Sequence, residues 1–145
     1  MNVSTLEWLK SNNYNPENLN FQGNYGNSAL MKASREGNIE LVSDLLNAGA
    51  NISLKNIDGN MALWLACFSE NQELVKLLID TGIEIDTLNV NGVTSLMYAA
   101  SSGKESMVKM LLDAGADASI QNPDDFTALD LAVTPKILRM LRNAI

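Results

Sequence analysis

A chain of 145 residues with 46% hydrophobic and 19% charged residues is the size of one domain and too apolar for an intrinsically disordered segment. Its net charge of −7 disfavours nucleic acid and anionic membranes, both of which attract clustered Lys and Arg, and no apolar run reaches the roughly 20 residues that a membrane span needs. The single cysteine, Cys67, excludes an internal disulfide and, between Ala66 and Phe68, reads as a buried thiol.

The opening MNVSTLEWLK has neither a basic leader nor an apolar signal core, so a cytoplasmic protein is expected. Ser4 with Glu7 three positions on matches a capping box, in which hydroxyl and carboxylate reciprocally satisfy the free amides of a helix start. Leu6 and Leu9, helped by Trp8, give that helix an apolar stripe, and a helix so short must dock on the body of the chain. The next stretch, SNNYNPENLNFQG, is rich in Asn with a Pro and reads as loop. Residues 1–23 are therefore expected to be an N-terminal helical cap.

From residue 24 the same landmarks return every 33 residues. Gly26, Gly59 and Gly92 are followed by Leu30, Leu63, Leu96 and Leu129, by Ala33, Ala66, Ala99 and Ala132, by Leu45, Leu78 and Leu111, and by Gly49, Gly82 and Gly115. A fixed period of this size is the signature of a stacked repeat array. The repeats fall at 24–56, 57–89 and 90–122, with a truncated one at 123–145. Asp58-Gly59 and Asn91-Gly92 are turn pairs whose residues tolerate the positive φ of tight hairpins, so they should form projecting fingers. First helices are expected near 28–36, 61–69, 94–102 and 127–133, capped by Ser28, Thr94 and Thr127. Second helices are expected at 38–47, 71–80, 104–113 and 135–143, where sets such as Leu41, Val42, Leu45 and Leu46 recur at helical spacing. Gly49, Gly82 and Gly115 should stop the first three of these in a left-handed conformation. The last repeat is shortened by three residues between its helices, with Thr134-Pro135 as cap and first-turn proline. Lys136, Arg139 and Arg142 suit a polar outer face on a terminal repeat.

The blocks GNSALMKASREGNIELVSDLLNAGAN, GNMALWLACFSENQELVKLLIDTGIE and GVTSLMYAASSGKESMVKMLLDAGAD resemble ankyrin repeats, and FTALDLAVTPKILRMLRNAI looks like a shortened fourth. The resemblance covers about residues 23–145 and implies an all-α solenoid of about four repeats, each a hairpin finger plus helix-turn-helix, between terminal caps. The family's Thr-Pro-Leu-His tetrad stands here as SALM, MALW, TSLM and TALD, and the chain has no histidine. Looser coupling between repeats is expected from that loss, with the fold unchanged.

Catalytic constellations are sparse. Without histidine the usual serine, cysteine and zinc-hydrolase arrangements lack their base, the glycines sit at repeat boundaries and form no phosphate loop, and the carboxylates of Asp124 and Asp125 lie in a turn sequence. No catalytic residue, metal site or cofactor is expected. The resemblance implies recognition of another protein across a concave face built from finger tips and first helices. Carried over position by position, that face takes Asn24, Tyr25, Asn27, Arg35 and Glu36 in the first repeat, Ile57, Asp58, Asn60, Phe68 and Ser69 in the second, Val90, Asn91, Val93, Ser101 and Ser102 in the third, and Asp124 and Phe126 in the last. Tyr25, Ile57, Phe68, Val90, Val93 and Phe126 form an apolar row within it.

The second repeat breaks the most local rules. Met61 occupies the capping slot, Trp64 the histidine slot, Phe68 an exposed slot, and Glu70 the slot that Gly37 and Gly103 fill. Trp64 and Phe68 are therefore candidate anchors, with space-filling between repeats as the alternative for Trp64. The expectation is a protein-binding adaptor, scaffold or inhibitor, monomeric when free. Self-association through the apolar row, or a carboxylate-dependent enzyme, is the alternative.

Overall fold

Every regular element in the computed structural model, which describes residues 1–145, is helical. Helix α1 (Val3–Ser11) precedes a single 3₁₀ turn at Asn24–Gly26, and the remaining helices come in pairs. The pairs are α2 (Ala29–Glu36) with α3 (Ile39–Asn47), α4 (Ala62–Ser69) with α5 (Gln72–Asp80), α6 (Ser95–Ser101) with α7 (Glu105–Asp113), and α8 (Ala128–Leu131) with α9 (Pro135–Asn143). The chain divides into two compact units, Met1–Ile83 and Glu84–Ile145. Within the first, α1 rests on α3, α2 packs on α4 and α3 on α5; within the second, α6 packs on α8 and α7 on α9. First helices thus meet first helices and second helices meet second helices, as in a repeat array where each repeat buries its apolar face on a neighbour.

The residues that recur every 33 positions are the ones that packing demands. Leu30, Leu45, Leu63 and Leu78 are fully buried in the first unit, as are Leu96 and Leu111 in the second, each contributing about 1.5–3 kcal/mol. Ala33, Ala66 and Ala99 are completely buried, because a small side chain lets helices approach closely. Two of the four slots left without histidine are filled by Met31 and Met97, both 1% exposed, so apolar packing replaces polar coupling there.

The expected caps form. Ser28, Thr94, Thr127 and Thr134 accept from the backbone N–H of Met31, Met97, Asp130 and Ile137 respectively. Asn38 and Asn71 cap α3 and α5 in the same way, a role beyond the capping positions expected from the sequence. Thr127 also gains a reciprocal partner, because the Asp130 carboxylate accepts from the Thr127 amide and completes a capping box. Gly49, Gly82 and Gly115 adopt φ of 92°, 84° and 94° after α3, α5 and α7.

Three expectations need correction. The Ser4–Glu7 capping box does not form: Asn2 is the cap of α1, its Oδ1 accepting from the Thr5 amide and from the Ser4 hydroxyl. An Asn two positions earlier captures the first free amide and starts the helix sooner. The buried stripe of α1 is Thr5 and Leu9, spaced i and i+4, whereas Leu6 is 39% exposed. Helix α8 ends at Leu131, two residues short, because Ala132 is extended (φ −61°, ψ 128°) and the Val133 amide bonds the Ala100 carbonyl, leading the shortened chain straight to the Thr134 cap.

Helix α1 is fastened to α3 by charge. The Asp44 carboxylate accepts from the Thr5 hydroxyl and from the Asn2 amide at 2.9 Å, and these bonds hold its pKa below the ordinary aspartate value. A depressed carboxyl pKa stabilises the docked helix above about pH 4 and loses that contribution as pH falls through the folded-state value. Protection factors of the Val3–Ser11 amides, exchange rates divided into the intrinsic rate at each pH, should therefore fall on acidification in the native chain, and Asp44→Asn should already be less protected at pH 7 with a protection that depends less on pH.

Two glycines of equal handedness, Gly92 and Gly115, have unequal surroundings. A Cβ on Gly92 (φ 71°) would lie 2.6 Å from Pro123 Cδ, whereas one on Gly115 meets nothing within 4 Å. Both alanine substitutions meet the left-handed penalty of about 1–2 kcal/mol, but Gly92→Ala should lower the melting temperature clearly further than Gly115→Ala.

Candidate functional site

The candidate site residues sit on the fingers and first helices, and an asparagine repeated every 33 residues builds the fingers. The Asn56 Oδ1 accepts from the amides of Asp58 and Asn60, both at 3.0 Å. Asn89 does the same for Asn91 and Val93, and Asn122 for Asp124 and Phe126. The backbone closes each loop through bonds such as Gly59 N to Asn56 O and Asn56 N to Asn60 O. Only the glycine of each expected turn pair takes positive φ, at 75° for Gly59 and 71° for Gly92, while Asp58 and Asn91 do not. The fingers are thus side-chain-pinned turns with no strand ladder. The signal for them was the 33-residue spacing of Asn56, Asn89 and Asn122.

The first finger lacks that asparagine, because Gly23 stands in its place. The N-terminal loop substitutes. Gln22 Nε2 donates to the carbonyls of Gly26 and Lys55, and the Tyr14 hydroxyl donates to the Asn27 carbonyl at 2.9 Å. Tyr14 stacks on Trp8 with ring centroids 5.9 Å apart, and Trp8 Nε1 donates to Glu36. Burial and the nearby Glu36 charge push the Tyr14 pKa up, keeping its hydroxyl a donor. Tyr25 takes φ of 59° and lies at the tip, where its carbonyl accepts from the Ile57 amide of the next finger.

In the Met1–Ile83 unit the structure brings most of the expected residues together. Tyr25, Asn27, Arg35 and Phe68 line two adjoining grooves. One, of about 640 Å³, is completed by the end of α1, Tyr14, Phe21 and Lys32. The other, of about 380 Å³, adds Asp58, Asn60, Trp64 and Leu65. The Arg35 guanidinium lies 4.9 Å from the Phe68 ring centroid, a cation–π contact between equivalent slots of consecutive repeats. Tyr25 is 75% exposed and Ile57 69%, with Asp58 and Arg35 also exposed.

Two residues of this set face inward. Asn60 is buried, and Asn27 is half-buried with its Oδ1 accepting from Asn56 Nδ2, so it serves the finger. The groove-lining Tyr14, Phe21 and Lys32 were missed, because they lie outside the slots that the family resemblance carries over. In the Glu84–Ile145 unit, Val90, Asn91, Ser101 and Phe126 are exposed and Val93 is half-buried.

The irregularities of the second repeat have physical accounts. Met61 makes no side-chain cap but is 5% exposed, so apolar burial offsets the lost hydroxyl. Glu70 follows α4 in a left-handed conformation (φ 58°), as Gly37 does after α2 (φ 72°). Trp64 is half-buried and Phe68 exposed; at i and i+4 they share one face of α4. No group of three or more His, Cys, Asp or Glu is placed to hold a metal ion. The carboxyls with displaced pKa, Asp44 and Asp117, are both held low by hydrogen bonds, Asp117 by the Ser119 hydroxyl and amide, the opposite of what a general acid needs.

The family model described as ankyrin repeats, three copies, matches residues 2–89, 30–122 and 84–144. The chain belongs to the ankyrin repeat family. The first match begins at residue 2 and so takes in α1 and its loop. No curated protein matches the chain significantly.

Asparagine at position 56 should be costly to lose. Asn56→Ala removes two accepted bonds and the donation to Asn27, and a stability loss of about 1–3 kcal/mol is expected in urea unfolding. Position 60 should behave oppositely. The buried Asn60 Oδ1 has no hydrogen-bond partner, while Val93 holds the equivalent slot with the same backbone bond to its finger asparagine. Asn60→Val should leave stability unchanged or raise it by up to about 1 kcal/mol.

Proposed function

We propose that this chain is a non-catalytic binding module that recognises another protein through its finger tips and first helices, the surface expected to be concave, with the Met1–Ile83 unit as its principal contact. Ankyrin repeats are generally protein–protein interaction modules. The observation that carries the reading is the pair of grooves walled by the exposed aromatics Tyr25 and Phe68 and by Arg35. Aromatic and arginine side chains are the favoured anchors of protein interfaces, and an aromatic held from one side by a guanidinium loses less conformational freedom on binding. Ile57 and Asp58 extend the surface on the next finger. Val90 and Phe126 offer exposed apolar contacts on the fingers of the second unit.

The test compares affinity pull-downs with the native chain and a Tyr25→Ala, Phe68→Ala variant from the same cytosol. A partner kept by the first and lost by the second, at unchanged melting temperature, is the expected result. Removing an anchor of about 2 kcal/mol weakens binding roughly 30-fold. Phe68→Ala alone should cost far less stability than the about 3–5 kcal/mol of a core aromatic. Identical proteins on both baits would overturn the assignment of this surface. Retention of nothing but the chain itself, with a mass that grows with concentration in light scattering, would replace a foreign partner by self-association.

A further inference from the structure

The larger groove of the Met1–Ile83 unit has a charge opposite to that of the protein around it. The chain is acidic overall, with net charge −7, yet two of its few cations, Lys32 and Arg35, line this groove together. They are spaced i and i+3 on α2, so their side chains emerge one turn apart on one face. Neither forms an ion pair within the chain, in contrast to Lys76, Lys109 and Lys136, which pair with Asp80, Asp113 and Glu105. The anionic side chain of the groove, Glu36, accepts from Trp8 Nε1 at 3.0 Å and is held on the side of α1. The Arg35 guanidinium carbon lies 4.9 Å over the Phe68 ring centroid, and its forked N–H donors suit a carboxylate. Tyr25 and Phe21, 75% and 47% exposed, supply apolar walls beside the two cations.

Resting on the protein-binding reading above, we infer that this groove takes an extended segment of the partner carrying an Asp or Glu next to an aromatic or large aliphatic residue. The carboxylate is received between Lys32 Nζ and the Arg35 fork, and the neighbouring side chain lies against Tyr25 and Phe21. Such a segment is complementary here and would be repelled by most of the remaining acidic surface, so the two cations also set its register.

The probe is a phage-displayed library of random heptapeptides panned on the full chain, with the selected sequences resynthesised, labelled with fluorescein and titrated. The expected consensus places Asp or Glu beside Phe, Tyr, Trp, Leu or Ile. Lys32→Gln with Arg35→Gln should weaken those peptides about tenfold or more, as should raised salt, and panning on a Lys32→Glu, Arg35→Glu variant should lose the acidic consensus. Both positions lie outside the core, and unchanged melting of the Gln variant keeps folding out of the comparison. Selected peptides that are basic or uncharged, acidic peptides that bind the variants as well as the native chain, or a library yielding no binders would each overturn the inference. Uncharged peptides that lose binding on Tyr25→Ala with Phe68→Ala would overturn the acidic preference while leaving the protein-binding reading in place.

Discussion

The side-chain carbonyl of one asparagine per repeat is the interaction on which the working surface depends. At Asn56, Asn89 and Asn122 a single oxygen accepts two backbone amides of its own finger. Those amides could not be satisfied by a strand ladder, since none exists, and an unmet amide is costly wherever water is excluded. Pinning them fixes the finger, directs Ile57 and Val90 outward, and delivers the chain to the caps of α4, α6 and α8. Below the fingers, the leucines and alanines at the 33-residue spacing hold each helix pair in place. Stability therefore resides mainly in the helices, and the presentation of recognition residues resides in the asparagines.

The first finger shows what happens when that device is missing. Gly23 offers no side chain, so Gln22 and Tyr14 reach in from the N-terminal loop, and the same loop forms one wall of the larger groove. Helix α1 is thus more than a lid over exposed leucines. Through Trp8, Tyr14 and Glu36 it steadies the finger that carries Tyr25, and through Asn2 and Thr5 it is fastened to Asp44 on α3. Stability of the N-terminal segment and shape of the candidate site are coupled by these bonds.

Much of the architecture could be read in the residues. Leu30, Leu63 and Leu96 with Ser28 and Thr94 marked helix and cap together, because burial and capping are local demands that a fixed period repeats without ambiguity. The start of α1 was misread because Asn2, two residues ahead of Ser4, caps the Thr5 amide and begins the helix earlier, which leaves Ser4 inside it. The end of α8 was misread because it depends on a backbone bond between Val133 and Ala100, residues of different repeats. At the candidate site, the groove-lining places of Tyr25, Arg35, Asp58 and Phe68 were legible from their slots. Asn60 was not, since burial at that position depends on packing that a slot rule does not contain. Tyr14 and Phe21 were missed because the N-terminal loop brings them to the groove, and Lys32 because its place on α2 lies outside the slots that the family resemblance carries over.

Where a partner touches this protein decides between the first and the second helices as its recognition surface. A photo-reactive phenylalanine analogue placed at Tyr25, and in a separate variant at Glu73 on the exposed side of α5, would record that contact in cells. Recognition by the fingers and first helices gives a discrete adduct at position 25, heavier than the chain by the mass of one partner, and none at position 73. An adduct at position 73 with none at position 25 would contradict it and move recognition to the second helices.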